Sequence, residues 1–315
     1  MKNKIAIVFP GQGSQMVGMG KDLSENFATA RNVFKTIDEI LKVDLSKIMF
    51  EGPQEILTKT ENTQPALMAV SVAMIEVLEK DFGKKFDQIC SLTAGHSLGE
   101  YSALCASKAL SLEDAAKLLQ IRGSSMAQCG EKNAGAMCAI LGVEIDIAHQ
   151  IAKEASQNEV CQVANDNSVG QIVLSGSKNA IERAIEIAKT KGAKRAIILP
   201  VSGAFHSNLM QEAQEKMAIA LAQIKISKPL IPIVANVSAN IETNSIDIKN
   251  LLIQQITGSV RWRETMLCFE KNGIEEVIEI GAGKVLSGLV SRTCPNLKSS
   301  SVQNTEDLKN FLTKL

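Results

Sequence analysis

A serine flanked by two glycines, between a strand-like and a helix-like run, constrains this chain more than any other feature. Gly95-His96-Ser97-Leu98-Gly99 follows the apolar run 89–94 and precedes a run of mostly small residues, 100–106. The glycines permit a turn too tight for side chains, so the serine would stand exposed above a sheet. The helix that follows offers unpaired N–H groups to a developing oxyanion. Such a pattern also arises by chance, but its flanking strand and helix predict a serine nucleophile that forms acyl-enzymes.

Strand-like and helix-like runs alternate along most of the chain. This alternation is typical of an α/β fold with a mostly parallel sheet covered by helices on both faces. The middle of the chain differs, because its order of strand, helix, strand, strand, helix, strand is that of a ferredoxin-like unit. We therefore expect an α/β-hydrolase-like core formed by residues 1–131 and 201–315, with a ferredoxin-like subdomain inserted at 132–200.

Local signals predict several element boundaries. A helix is expected over 65–81, with Thr63 as its N-cap. Another is expected over 112–129, capped by Ser111. In the inserted region, the segment 165–170 is rich in turn-forming residues and is expected to join two strands.

The composition argues against several classes of protein and site. Lys and Arg together number 34, as do Asp and Glu, so the basic excess of a nucleic-acid binder is missing. Only 3% of the residues are aromatic, which is too few for platforms that stack bases or sugars. The seven cysteines are odd in number and lack C-x-x-C spacing. We therefore expect neither a disulfide framework nor a metal site.

The hydrophobic runs are all short. None approaches the length of a membrane span, and the run before Pro10 is too short for the core of a signal peptide. We expect a soluble, cytoplasmic protein that does not bind membranes, with a monomer as the default state.

A serine nucleophile needs a base, and the chain has three histidines. His149 falls within a predicted helix of the insertion, where a surface or structural role is expected. His96 sits beside Ser97, and its side chain should point away from the hydroxyl. His206 lies on a loop where the chain returns from the insertion, and it is our candidate base. The alternative is a loop histidine that caps the next helix.

No orienting acid for the base is apparent. A hydrolase would place an acid between Ser97 and His206 in the chain. Asp166 and Glu182 are available there, but both fall in the insertion, away from the edge of the main sheet. A backbone or amide carbonyl could hold the imidazole instead, although it would stabilise the imidazolium less than a carboxylate does.

Two glycine turns and one arginine are further candidates for binding. The loop 10–15 lacks the third glycine of the dinucleotide fingerprint and the Gly-Lys of a phosphate loop, so we expect no cofactor. One of its backbone N–H groups could instead form an oxyanion hole with the N–H of Leu98. The turn 281–284 is either an anion site or a simple strand-to-helix turn. Arg122 is either a solvated helix residue or a buried guanidinium that binds a substrate carboxylate.

Six segments together resemble the malonyl-CoA:acyl carrier protein transacylase family, in that family's order and over nearly the whole chain. They are residues 9–15, 63–67, 95–101, 120–123, 203–207 and 255–262. The resemblance implies transfer of a malonyl group from malonyl-CoA to the phosphopantetheine thiol of acyl carrier protein through a malonyl-serine intermediate. Such a ping-pong transferase would supply fatty-acid biosynthesis, although polyketide synthesis needs the same step.

The resemblance also implies catalytic roles. Ser97 would be the nucleophile and His206 the base, with the backbone carbonyl of Gln255 accepting the imidazole N–H. The backbone N–H groups of Gln12 and Leu98 would form the oxyanion hole.

Roles in substrate binding follow from the same resemblance. Arg122 would bind the malonyl carboxylate, and the ring of Phe205 would restrict the space for an α-methyl branch. Asn165 matches an asparagine near the cleft. Ser259 and Ala282 depart from the family, which commonly has proline at both places, so the rigidity of two turns is in doubt.

Two other classes of protein remain open from the residues. A serine esterase or thioesterase would need a triad acid and no Arg122. A non-catalytic docking module of an acyl assembly line would form no acyl-enzyme. The basic residues Lys189, Lys191, Lys194 and Arg195 are either a dock for an acidic carrier protein or a solvated face.

Overall fold

The computed structural model describes residues 4–315 and contains helices of widely different length. The helices are α1 (Lys21–Asn26), α2 (Ala28–Leu41), α3 (Leu45–Glu51), α4 (Gln54–Thr58), α5 (Thr60–Lys80), α6 (Phe86–Ile89), α7 (Gly99–Ala106), α8 (Leu112–Lys132), α9 (Ile145–Ser156), α10 (Lys178–Thr190), α11 (Gln211–Ala222), α12 (Ser245–Gln254), α13 (Trp262–Lys271), α14 (Val285–Thr293) and α15 (Thr305–Leu312). A 3₁₀ turn covers Asn208–Met210.

The strands form two separate sheets. They are β1 (Ile5–Phe9), β2 (Leu92–Gly95), β3 (Gly135–Leu141), β4 (Cys161–Ser168), β5 (Gln171–Ser177), β6 (Arg195–Ile198), β7 (Ile233–Val234), β8 (Ile241–Glu242), β9 (Glu276–Ile280) and β10 (Lys298–Val302). The large sheet has the order β10-β9-β1-β2-β7-β8 and is parallel except for β8. The mostly parallel α/β core that the sequence predicts is therefore confirmed.

Strand β1 is buried on both faces, as expected for the middle of a parallel sheet. Ile7 and Phe9 pack in the apolar cluster that includes residues of α2, α5 and α8. Ala6 and Val8 point the other way and pack with residues of α13 and α14. Helices thus cover both faces of the large sheet.

The register of the two central strands positions the functional loops. Phe9, the last residue of β1, pairs with Gly95, the last residue of β2. The glycine-rich loop after β1 and the serine turn after β2 therefore lie side by side. This is the edge of a parallel sheet at which ligands commonly bind.

The small sheet is antiparallel, with the order β4-β5-β3-β6, and packs against α9 and α10. Its strands and helices follow one another as β3, α9, β4, β5, α10 and β6. Edge strand β4 joins it to the core, because Asn165 forms a parallel bridge with Val260. An ion pair of 2.8 Å between Asp166 and Arg263 supports the same junction.

Two of the predicted boundaries are wrong. Helix α5 begins at Thr60, and Thr63 lies inside it, where its hydroxyl donates to the Leu57 carbonyl. Thr60, Thr63 and Gln64 are buried, and their packing outweighs the backbone N–H that Pro65 lacks. Strand β4 continues to Ser168, because residues predicted as a turn pair with β5 across two register shifts.

The N-terminus of α8 agrees with the sequence. The helix begins at Leu112, and the Ser111 hydroxyl accepts the backbone N–H of Asp114 at 3.0 Å. Within residues 4–315, no helix combines the length and the apolar character that a bilayer crossing requires.

Candidate active site

Ser97 occupies the turn between β2 and α7 in a left-handed backbone conformation, with φ of 53°. The turn leaves no room for side chains on either side. A Cβ on Gly95 would lie 1.9 Å from the carbonyl carbon of Gly99, and a Cβ on Gly99 would lie 2.4 Å from the Phe9 carbonyl oxygen. The predicted layout of strand, tight turn and helix is therefore confirmed, and the turn needs both glycines.

The Ser97 hydroxyl is the first member of a buried hydrogen-bonded chain. Its Oγ lies 2.8 Å from His206 Nε2, and His206 Nδ1 lies 2.8 Å from the backbone carbonyl oxygen of Gln255. A carbonyl oxygen only accepts, so the imidazole proton belongs on Nδ1. The unprotonated Nε2 therefore faces the serine hydroxyl as an acceptor.

His206 is neutral at physiological pH. Burial lowers its pKa to about 3, and the positive charge of Arg122 acts in the same direction, against the opposing bond to Gln255. The residue that caps the following 3₁₀ turn is Ser207, whose hydroxyl accepts the Leu209 N–H. The helix-capping alternative for His206 is therefore wrong, and the ring is free to accept a proton from Ser97.

Arg122 is buried on α8 with 1% of its surface exposed, so the solvated alternative is wrong. Its Nη2 donates to Ser97 Oγ at 3.0 Å and to Gln255 Oε1 at 2.8 Å, and its Nη1 donates to Gln64 Oε1 at 2.7 Å. The guanidinium also lies 5.9 Å from the centre of the Tyr101 ring. No carboxylate of residues 4–315 forms an ion pair with it, so its charge is available to an anionic ligand.

The backbone N–H groups of Gln12 and Leu98 lie on the two neighbouring loops at the sheet edge. Neither donates to an acceptor among residues 4–315. Leu98 immediately precedes α7, where N–H groups lack intrahelical partners. Two unpaired donors next to a serine hydroxyl fit the negative oxygen of a tetrahedral intermediate.

A cavity of about 190 Å³ opens at Ser97 and is lined by residues of both the core and the small sheet. Arg122 and His206 line it together with Gln12. Phe205, which is 6% exposed, and Asn165, which is 7% exposed, contribute an apolar and a polar wall. The structure thus brings every candidate site residue except Leu98 and Gln255 to the cavity wall. Leu98 contributes its backbone N–H, and Gln255 contributes its backbone carbonyl and its buried side-chain amide.

Sequence reasoning missed residues that hold the serine turn. The side chain of Asn236 accepts the Ser97 N–H at 2.7 Å and donates to the Gly95 carbonyl at 2.7 Å. Gln64 was part of a recognised segment but had no assigned role. In the sequence, Asn236 is distinguished only as a single amide side chain after the apolar strand β7, and such a residue does not by itself indicate a site.

Neither of the other two histidines bonds to the Ser97 hydroxyl, although His96 lines the same cavity. His96 Nε2 lies 2.9 Å from Asn167 Oδ1, and its ring packs 5.4 Å from Trp262 between ring centres. His149 is exposed on α9. His206 is thus the histidine that contacts Ser97 Oγ.

Neither acid of the insertion reaches the imidazole. Asp166 pairs with Arg263, Glu182 is exposed on α10, and His206 Nδ1 is already bonded to Gln255. Within residues 4–315, no three His, Cys, Asp or Glu side chains lie close enough together to hold a metal ion. All seven cysteines are free thiols.

Known sequences resemble this chain over nearly its full length. The profile of the acyl transferase domain matches residues 6–309. The malonyl CoA-acyl carrier protein transacylase of Bacillus subtilis (strain 168) is 45% identical over 308 residues, which are 98% of this chain and 96% of the relative. The protein of the same name from Escherichia coli (strain K12) is 39% identical over 299 residues, which are 95% and 96% of the two chains.

Solved structures match the whole fold. An acyl-carrier-protein-S-malonyltransferase from Bartonella henselae superposes with a TM-score of 0.95 and 47% identity, covering 100% of this chain and 99% of that chain. A malonyl-transacylase in complex with its holo type II PKS acyl-carrier protein superposes with a TM-score of 0.94 and 39% identity, covering 99% of both chains.

Proposed function

The chain belongs to the acyl transferase domain family, and we propose that it transfers the malonyl group of malonyl-CoA to the phosphopantetheine thiol of acyl carrier protein. This transfer supplies fatty-acid biosynthesis. One observation carries the proposal: Ser97 Oγ lies within hydrogen-bond distance of both a neutral imidazole and a guanidinium that forms no ion pair within residues 4–315. A nucleophile, a base and an anion-binding group therefore share one buried cavity.

In the first half-reaction, Ser97 is acylated. His206 Nε2 takes the hydroxyl proton while Oγ attacks the thioester carbonyl carbon of malonyl-CoA. The backbone N–H groups of Gln12 and Leu98 stabilise the negative oxygen of the tetrahedral intermediate. When the C–S bond breaks, the imidazolium returns its proton to the departing CoA sulfur. The proton on Nδ1 stays there throughout, hydrogen-bonded to the Gln255 carbonyl.

The second half-reaction reverses these roles on a new thiol. His206 Nε2 accepts the proton of the phosphopantetheine thiol, and the thiolate attacks the malonyl-serine ester. The bond from Ser97 Oγ to the acyl carbon breaks, and Oγ receives the proton back. The two substrates use the same site in turn, so the kinetics are ping-pong.

Arg122 binds the free carboxylate of the malonyl group. Gln64 and Gln255 hold its guanidinium through neutral oxygens and leave its charge for the substrate. Phe205 limits the space beside the α-carbon, which disfavours an α-methyl branch. Asn165 faces the same cleft from β4.

A serine esterase or thioesterase is the main alternative chemistry. The site gives that reading less support, because the imidazole partner is the Gln255 carbonyl and not a carboxylate. A non-catalytic docking module would not need the Ser97–His206 contact. The anchored malonyl group and the buried cavity favour attack by a thiol on a long arm over attack by water.

The order of the inserted elements supports a ferredoxin-like subdomain at 132–200 within an α/β-hydrolase-like core of residues 1–131 and 201–315. Strand order β4-β5-β3-β6 and the succession β3, α9, β4, β5, α10, β6 are the observations behind this division. A cytoplasmic location and a monomeric state stay predictions.

The carrier protein is proposed to dock near the start of β6. Lys189 pairs with Glu186, and Lys191 pairs with Glu154, so half of the basic cluster is neutralised locally. Lys194 and Arg195 are exposed, and neither forms an ion pair within residues 4–315. They are therefore the members of the cluster best able to attract an acidic carrier protein.

Intact-protein mass spectrometry after brief exposure to malonyl-CoA tests this function. The unmodified protein should carry one malonyl group, and Ser97→Ala should carry none. Ser102→Ala is a matched control, because Ser102 is also a buried serine but lies on α7, within the helix. It should be acylated normally. An adduct on Ser97→Ala would place the nucleophile elsewhere.

A further inference from the structure

Glu100, in the first turn of α7, is a buried carboxyl group that the transfer chemistry leaves without a role. Glu100 is 1% exposed, and its Oε1 has no hydrogen-bond partner among residues 4–315. Burial raises its pKa to about 7, against the opposing hydrogen bonds from Gln255 and Asn236. Because burying a carboxyl group destabilises a fold, such a group bonded to a residue of the site is a candidate for a specific role.

The other oxygen of Glu100 contacts the residues that hold the serine turn. Oε2 accepts Gln255 Nε2 at 2.7 Å and the backbone N–H of Asn236 at 3.2 Å. Gln255 Nε2 also donates to the Ser97 carbonyl at 3.0 Å, and the Asn236 side chain accepts the Ser97 N–H. Glu100 is thus connected to both backbone polar groups of Ser97.

The side-chain amide of Gln255 joins Glu100 to Arg122. Its nitrogen faces Glu100, and its oxygen accepts Arg122 Nη2 at 2.8 Å. A guanidinium only donates and a carboxylate only accepts, so these two neighbours select one orientation of the amide. The flipped amide would direct N–H groups at Arg122 and an oxygen at the Glu100 carboxylate.

We propose that Glu100 is a positioning residue whose carboxylate orients the Gln255 amide and thereby holds the Arg122 guanidinium in place for the substrate carboxylate. The inference rests on the proposed function, since it takes an anionic acyl group as the ligand of Arg122. Glu100 then acts on the binding of acidic acyl groups more than on proton transfer. The reason is that His206 is held by the backbone carbonyl of Gln255 and not by its amide.

Glu100→Gln tests the proposal with almost no change in size. The new amide can donate as well as accept, so it no longer excludes the flipped Gln255 amide, and the preference for the original orientation then depends on Arg122 and the Ser97 carbonyl alone. We expect kcat/KM for malonyl transfer to fall about tenfold, mainly through KM, while acetyl transfer changes by less than about twofold.

Glu279→Gln is the matched control. Glu279 is also fully buried, has one oxygen without a partner among residues 4–315, and accepts the Ser287 N–H at 2.7 Å with the other. It lies on β9, and its hydrogen-bond partners belong to α14 and not to the Gln255 and Arg122 arrangement. Its substitution should leave the ratio of malonyl to acetyl transfer unchanged, whatever it does to stability.

A double-mutant cycle separates positioning from general structural damage. In an Arg122→Ala background, Glu100→Gln should cause no further loss of malonyl transfer, because the group it positions is missing. A loss that persists in that background, a parallel loss of acetyl transfer, or no change at all in Glu100→Gln would overturn the proposal.

Gln255→Met offers a second route if Glu100→Gln does not fold. It removes the amide, including its bond to the Ser97 carbonyl, but keeps the backbone carbonyl that holds His206, so malonyl transfer should fall by a clearly larger factor than acetyl transfer. Equal losses for both acyl groups would overturn the proposal. Failure of the unmodified protein to form any malonyl adduct would instead contradict the proposed function, so the two failures are distinguishable.

Discussion

Arg122 directs one guanidinium nitrogen to within 3.0 Å of the Ser97 hydroxyl oxygen. A buried cation in contact with a nucleophile favours negative charge on that oxygen and attracts an anionic acyl group to it. The same charge helps to keep the neighbouring imidazole of His206 unprotonated. One side chain therefore links substrate choice to the state of the base.

Arg122→Ala should strongly reduce malonyl transfer, to a level that is still measurable, while keeping acetyl transfer. Removing one member of a buried, hydrogen-bonded charge pair costs about 2–5 kcal/mol, so kcat/KM for malonyl-CoA should fall at least about 30-fold. Acylation by malonyl-CoA and acetyl-CoA, followed by intact mass, measures both. Arg122→Lys is the control, because it keeps the charge but loses the planar fork, and it should be intermediate. Equal losses for both acyl groups would mean that Arg122 is structural.

The rate of acylation should not fall at mildly acidic pH, as it would if the base had the pKa of an ordinary histidine. The pKa of His206 lies at about 3, lowered by burial and then by Arg122, so the base stays neutral as pH falls through the usual histidine range. Rapid-mixing measurements of kcat/KM with acetyl-CoA, which does not use the Glu100–Arg122 arrangement, should therefore be flat from about pH 8 down to about pH 5. A limb centred on the ordinary histidine pKa would contradict a His206 pKa that burial and Arg122 lower.

Glu100 should make the fold less stable as pH rises. Its pKa is about 7 in the native state and near 4.5 when unfolded, so the native protein binds more protons between these values. Stability then decreases as pH rises through that window, by up to about 3 kcal/mol. Unfolding by urea should show the stability of Glu100→Gln, relative to the unmodified protein, increasing from pH 4 to pH 8.

Glu264→Gln should change the pH dependence of stability in the opposite direction. A hydrogen bond from Arg261 lowers the pKa of Glu264, so its ionised form stabilises the fold at neutral pH. Its substitution should therefore be more destabilising at high than at low pH. The same sign for both variants would contradict the assignment of a destabilising buried charge to Glu100.

Reversing the charges at Lys194 and Arg195 should weaken binding of the carrier protein without affecting the reaction with malonyl-CoA. The double change to Glu should raise the KM for carrier protein roughly tenfold at low salt, with the effect decreasing as salt screens the charges. Acylation by malonyl-CoA should be unchanged. Lys298→Glu, at an exposed lysine on β10, is the control. Unchanged transfer rates after the double reversal would exclude this surface as the dock.

Local patterns were enough to predict the serine turn and the start of α8. Gly95 and Gly99 are required by backbone contacts within a few residues of Ser97 and by the adjoining strand β1, and Ser111 caps its own helix. The end of β4 was not predictable in this way. Its polar residue Asn165 reads as a turn former until its partners β5 and Val260 are known.

The supporting polar groups lay beyond sequence reasoning for a different reason. Asn236 reaches Ser97 from 139 residues away, and Glu100 meets Gln255 from 155 residues away. Their roles depend on hydrogen-bond direction, which no spacing rule encodes. Gln255 holds His206 through a backbone carbonyl, which any residue type could supply, so that assignment depended on family resemblance.

The fate of the acyl group on Ser97 tests the proposed mechanism most directly. Malonyl-enzyme, freed of excess malonyl-CoA, is mixed with holo-carrier protein, and the malonyl group is followed by mass spectrometry. Transfer through a malonyl-serine ester predicts that the group is recovered almost entirely on the carrier thiol and that Ser97 returns unmodified. Release mainly as free malonate, at a rate that the carrier protein does not change, would contradict it and identify a hydrolase.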